Sequence, residues 1–128
     1  MEHKILKAAL FVMVIAILVS SCKKEETGLE GTYNRTMSFD SESIDVDLSF
    51  TKDGLLIWAP GENVSGHTSS QVGYEKLPDS GFRIFDDPDC GSEADYTYTI
   101  NGKTLTITAL SDDCEPRVFA LSGNWRRK

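Results

Sequence analysis

Beyond residue 30 the chain alternates apolar and polar positions with a period of two, broken at short intervals by turn residues. The strictest run covers residues 43–50, where Ile44, Val46, Leu48 and Phe50 share one face and serines and aspartates the other. Successive side chains of a strand point to opposite faces, so this pattern marks a half-buried strand. Thr51-Lys52-Asp53-Gly54 supplies turn chemistry, and residues 55–59 return as the second arm of a hairpin. Residues 71–77 and 81–85, joined by Pro78-Asp79-Ser80, continue the series. A weaker strand is expected over residues 32–39, and a last one over about 117–125, interrupted near Gly123.

Asn101-Gly102 separates two alternating runs, residues 95–100 and 103–109. That dipeptide predicts a two-residue type I′ turn, whose central residues both need the positive φ that Asn and Gly tolerate. Such a turn pairs Ile100 with Lys103, Tyr98 with Leu105 and Tyr96 with Ile107 on an apolar face. Thr99, Thr97 and Asp95 then oppose Thr104, Thr106 and Thr108 on the other face. Continued to the open end, this register sets Cys90 opposite Asp113, one residue from Cys114. No segment keeps a helical apolar period of about 3.6 beyond two turns. The expected fold is therefore all-β: an antiparallel up-and-down barrel of about eight short strands, closed because closure removes exposed edges.

The N-terminus follows a different pattern. Residues 8–19 are uninterruptedly apolar behind Lys4 and Lys7, the layout of a signal-peptide core. A membrane-spanning helix needs roughly 20 apolar residues, and this run first meets Ser20, Ser21 and Cys22. Val19-Ser20-Ser21-Cys22 resembles the lipobox of bacterial lipoproteins. The resemblance implies that residues 1–21 are a leader cut before Cys22, whose sulfur receives a diacylglycerol and whose new amine is acylated. Each buried methylene contributes ~0.8 kcal/mol, so several chains on Cys22 hold the protein to a membrane while its domain stays in water. Lys23-Lys24-Glu25-Glu26 is similar to a surface-export signal of one branch of diderm bacteria, which implies an outer-membrane lipoprotein of the cell envelope, exposed at the surface. The alternative is that these four charges are only solvated tether; on either reading residues 22–30 link the lipid to a domain over 31–128.

Charge and cysteine content narrow the classes. Without Glu2, Lys4 and Lys7 of the leader, 11 basic and 19 acidic side chains remain, a net charge of −8. So acidic a chain is not a nucleic-acid binder. With Cys22 assigned to lipid, Cys90 and Cys114 remain, and in an oxidising compartment they are expected to pair. The 106 residues after Cys22 suit one monomeric domain with a small core, where a covalent link helps.

Gly31-Thr32-Tyr33, the meander that follows, and the closing stretch from Ser111 through Cys114 to Trp125 resemble the small lipocalin-like lipoprotein domains of bacteria. The Gly-x-Trp that opens a true lipocalin is here Gly31-Thr32-Tyr33. The resemblance implies an eight-stranded barrel with room for a small apolar ligand, although a barrel of this size can also be filled by its own side chains. Phe39, Phe50, Tyr74, Phe82, Phe85, Tyr96, Tyr98 and Phe119 are placed either to plug such a lumen or to line it.

Chemistry-bearing constellations are few. His67, the one histidine after the leader, sits in Ser65-Gly66-His67-Thr68-Ser69-Ser70, a stretch of loop composition that holds no nucleophile and acid in place, so no catalytic residue is assigned. One histidine cannot assemble a zinc site, and no metal or other cofactor is implied. A Cys90–Cys114 link sets Asp86-Asp87-Pro88-Asp89 beside Asp112-Asp113, oxygen-rich loops that match no calcium-loop spacing and read as solvated rims. Leu56 and Trp58 alternate with Leu55, Ile57 and Ala59, so both faces of that strand carry apolar side chains. Leu56 and Trp58 are therefore a candidate binding surface, unless tether or loop covers the strand on both sides. The function expected is that of a lipid-anchored binding module for a small apolar molecule or a protein partner. The alternative is a periplasmic or surface inhibitor of a hydrolase such as a lysozyme or protease.

Overall fold

The computed structural model describes residues 28–61 and 68–128. Along the chain these form β1 (Gly31–Phe39), β2 (Glu42–Phe50), β3 (Leu55–Pro60), β4 (Ser70–Leu77), β5 (Gly81–Phe85), β6 (Ala94–Asn101), β7 (Thr104–Ser111), α1 (Glu115–Leu121) and β8 (Gly123–Arg127). Each strand pairs antiparallel with the next and β8 pairs with β1, closing an eight-stranded up-and-down barrel. The first hairpin is the longest ladder, running from Gly31 opposite Phe50 to Phe39 opposite Glu42. The closing seam is short, with only Tyr33 opposite Arg127 and Asn34 opposite Arg126.

Alternation puts Tyr33, Met37, Ile44, Val46, Leu48, Phe50, Leu56, Tyr74, Phe82, Ile84, Tyr96, Leu105, Ile107 and Trp125 inside, and all are buried. The two ends of this interior differ. At the end holding the β2–β3, β4–β5 and β6–β7 turns, aromatic rings fill the lumen. Phe50 stands edge-on to Tyr33, Tyr74 and Phe82, and Phe82 stacks on Tyr96 with centroids 5.4 Å apart. Tyr74 donates to the Thr51 carbonyl (2.7 Å), and Tyr33 donates to that of Leu29 (2.9 Å). Leu29 is fully buried, so packing begins ahead of β1. Arg127 ties the same end together, donating to the Tyr33 hydroxyl and the carbonyls of Gly28 and Glu30.

Two expectations need correction. The β6–β7 hairpin keeps the expected faces but not the expected register: Ile100 pairs with Leu105, Tyr98 with Ile107 and Tyr96 with Ala109. Asn101 stays in the ladder opposite Thr104, and Gly102, with φ +60°, is the first residue of the loop. A shift of two residues leaves both faces intact while setting Ile100 against Leu105 instead of Lys103, so alternation alone does not resist it. The second correction is at the C-terminus, where residues 115–121 form α1 and only β8 continues the sheet. Glu115 in the first turn and Pro116 at a position without need of an N–H favour a helix start.

Candidate functional site

At the opposite end of the barrel, beneath α1, the interior opens into a cavity of about 350 Å³. Its apolar walls come from several elements: Phe39 of β1, Leu56 and Trp58 of β3, Val72 of β4, Ile84 of β5, and Phe119 and Leu121 of α1. Thr68, Ser69 and Ser70 add hydroxyls, and Asp87, Asp89 and Arg117 add charge. Leu56 and Trp58 thus face inward, Leu56 buried and Trp58 half-buried, and are not an outer edge. The outward residues of that region are Leu55 and Ile57, half-buried beside Gly73, over which the Phe85 ring lies so closely that a Cβ would collide with it. The aromatic set therefore divides: Phe50, Tyr74, Phe82 and Tyr96 plug one end, Phe39 and Phe119 line the other, and Phe85 lies outside. The Trp58 indole N–H is buried and has no hydrogen-bond partner among the described residues.

The roof is fixed by charge and a covalent link. Cys90 and Cys114 form a disulfide, with Cα atoms 5.9 Å apart and Cys114 as the N-cap of α1. One turn into α1, Arg117 is buried and grips Asp112 with two bonds of 2.8 Å. Its remaining donors reach Asp87 (3.1 Å) and the Ser92 carbonyl (3.0 Å). Asp112 also accepts from the Cys114 amide and from the Tyr96 hydroxyl. Burial pushes the Asp112 carboxyl up, but the Arg117, Tyr96 and Cys114 donors outweigh it and hold it below the usual carboxylate range. Burial first, and then donation to Asp112, raise the Tyr96 phenol. Arg117 thus bridges the two acidic loops that the disulfide brings together, pairing with one carboxylate of each. Asp87 spends its other oxygen on the amides of Asp89 and Cys90.

A second arginine holds the far end of α1. Arg35 shares the inner face of β1, lies 4.0 Å over the Trp125 ring, and donates to the carbonyls of Phe119, Ala120 and Ser122. A cation there satisfies the carbonyls that a helix leaves unpaired at its C-terminus. It also bridges β1 to the helix above the short β1–β8 seam.

Of the residues singled out by sequence, Cys22 and His67 lie outside the described residues. The network around Arg117 was not foreseen; its only sequence signal is a basic residue close to a cysteine flanked by acids. A second hollow of about 550 Å³ among Phe85, Asp86, Asp87, Pro88, Gly91, Ser92 and Glu93 draws on a single polar loop and lacks converging apolar walls. The smaller but apolar-walled cavity beneath α1 is therefore the candidate site, offering contact surface, hydroxyls and carboxylates. Compared with known proteins, the chain matches no family model, no curated protein and no solved structure.

Proposed function

We propose that this is a non-catalytic, lipid-anchored protein of the outer membrane, tethered through acylated Cys22, whose barrel captures a small apolar molecule. The observation that carries this reading is the cavity of about 350 Å³ with walls drawn from four strands and a helix. Ligand cavities typically measure roughly 300–1,000 Å³ and pair apolar walls with a few polar groups. A purely structural barrel of this size fills its lumen, as the opposite end does. A second reading, an inhibitor that presses this end against a hydrolase, is supported by Phe119 and Leu110, which are 55% and 66% exposed.

The test is native mass spectrometry of the protein taken from its own envelope. Capture predicts a discrete non-covalent adduct, on a chain that begins at an acylated Cys22. A bare chain that instead co-purifies stoichiometrically with a hydrolase would replace capture by inhibition.

A further inference from the structure

We infer that the molecule accepted by the cavity is an organic cation, an amine or quaternary ammonium carried on a small apolar or aromatic body. This rests on the cavity being a ligand site and adds the sign of the ligand's charge. Apart from Arg117 in the wall, Arg35 behind it on the α1 carbonyls, and Arg83 paired with Asp95, the basic side chains of the described residues lie away from the cavity. Lys52 and Lys103 lie in the β2–β3 and β6–β7 turns, Lys76 near the end of β4, and Arg126, Arg127 and Lys128 at the chain's end, all toward the plugged end of the barrel. The cavity end instead carries Asp40, Glu42, Asp86, Asp89, Asp113 and Glu115 in or beside its loops.

Arg117 is the one cation in the described wall, and it is consumed: Asp112 and Asp87 hold it from two sides. Among the described wall residues a carboxylate or phosphate ligand would find no cation free of a carboxylate partner and would have to lose water against like charge. A cation meets the opposite situation. Asp87 is occupied by Arg117 and two amides, but no hydrogen bond or ion pair engages the Asp89 carboxylate among the described residues. Trp58 and Phe119 add aromatic rings to the wall, a residue type that attracts ammonium groups. The apolar body would sit against Leu56, Val72 and Leu121, with the charged head at the Asp89 rim.

The experiment uses the full chain in micelles of an uncharged alkyl maltoside and three water-soluble probes that share one body: 3-phenylpropyltrimethylammonium, 3-phenylpropan-1-ol and 3-phenylpropane-1-sulfonate. Binding is read by calorimetry and by Trp fluorescence. The cation is expected to bind about tenfold tighter than the alcohol, and the sulfonate weakest, for a partly screened charge pair at a protein rim. Asp89→Asn, a change at an exposed position, should cost the cation about fivefold and leave the alcohol unaffected. If the alcohol or sulfonate binds as well as the cation, the charge inference is overturned while the cavity remains a ligand site. If none of the three binds, capture itself is overturned. Unchanged cation affinity in Asp89→Asn would overturn the assigned contact.

Discussion

The two ends of this barrel are built from the same alternating strands but stabilised by different forces. At the plugged end, Tyr33, Phe50, Tyr74, Phe82 and Tyr96 interlock, and Leu29 adds a buried aliphatic side chain. Apolar burial and close packing stabilise it, and little volume is left. At the cavity end, a disulfide, a buried arginine between two carboxylates, and an arginine on the helix carbonyls hold the roof in place. These devices fix α1 without filling the space below it. A small domain can leave one half of its barrel unfilled by replacing core packing there with directed bonds around the rim.

The largest test of that contrast is Phe82→Ala, which empties the plugged end and should cost about 4 kcal/mol in urea unfolding. Arg117→Gln comes next. Removing one partner of a buried pair strands the others, and a loss of about 3 kcal/mol is expected from the same measurement. Replacing Cys90 and Cys114 together by alanine opens a link of sequence separation 24, for which the chain-entropy view gives ~3 kcal/mol. Both cavity-end changes should loosen α1 in hydrogen exchange while amides around Phe50 and Phe82 stay protected.

Acid produces a smaller, graded effect. The Asp112 carboxyl is held low in the folded state. Its stabilisation is therefore complete above the ordinary carboxylate value of about 3.9 and disappears as pH falls through the lower folded value. Glu30 and Asp47 at the plugged end are also lowered, chiefly by Lys76 and Asn34 respectively, but their ion pairs are solvent-exposed and screened by salt. In high salt, Asp112→Asn should flatten the remaining acid dependence of unfolding. Smallest of all, Trp58→Phe should cost under about 1.5 kcal/mol while removing the fluorescence response to a bound probe. A cost as large as that of Phe82→Ala would show the cavity end to be packed like the other.

The difference between the ends also explains what the sequence disclosed. Strand faces were legible because burial enforces a period of two, and Ile44, Val46, Leu48 and Phe50 obey it without exception. Register at the Asn101-Gly102 turn was not, since a two-residue shift costs no face and gains the Ile100–Leu105 pair. The expected strand over about 117–125 overran α1 because the helix has only seven residues, too few for helical periodicity to show. Leu56 and Trp58 stood out by composition, yet alternation could not say whether they faced a lumen or a partner. That choice depends on α1 and on which aromatics reach the plugged end, both properties of the closed barrel. The disulfide was legible once the lipobox resemblance set Cys22 aside and left two cysteines to pair. Arg117 was not, because its meaning lies in Asp87, thirty residues away in sequence.

The most direct test is a crystal structure under xenon pressure, because a dry apolar cavity of even ~150 Å³ takes up such a probe whereas close-packed interior does not. Xenon is expected between Leu56, Trp58, Val72 and Leu121, with none inside the Phe50, Phe82 and Tyr96 cluster. Xenon absent from the cavity end, or present equally at both ends, would contradict the division of the barrel into a packed half and a receptive one.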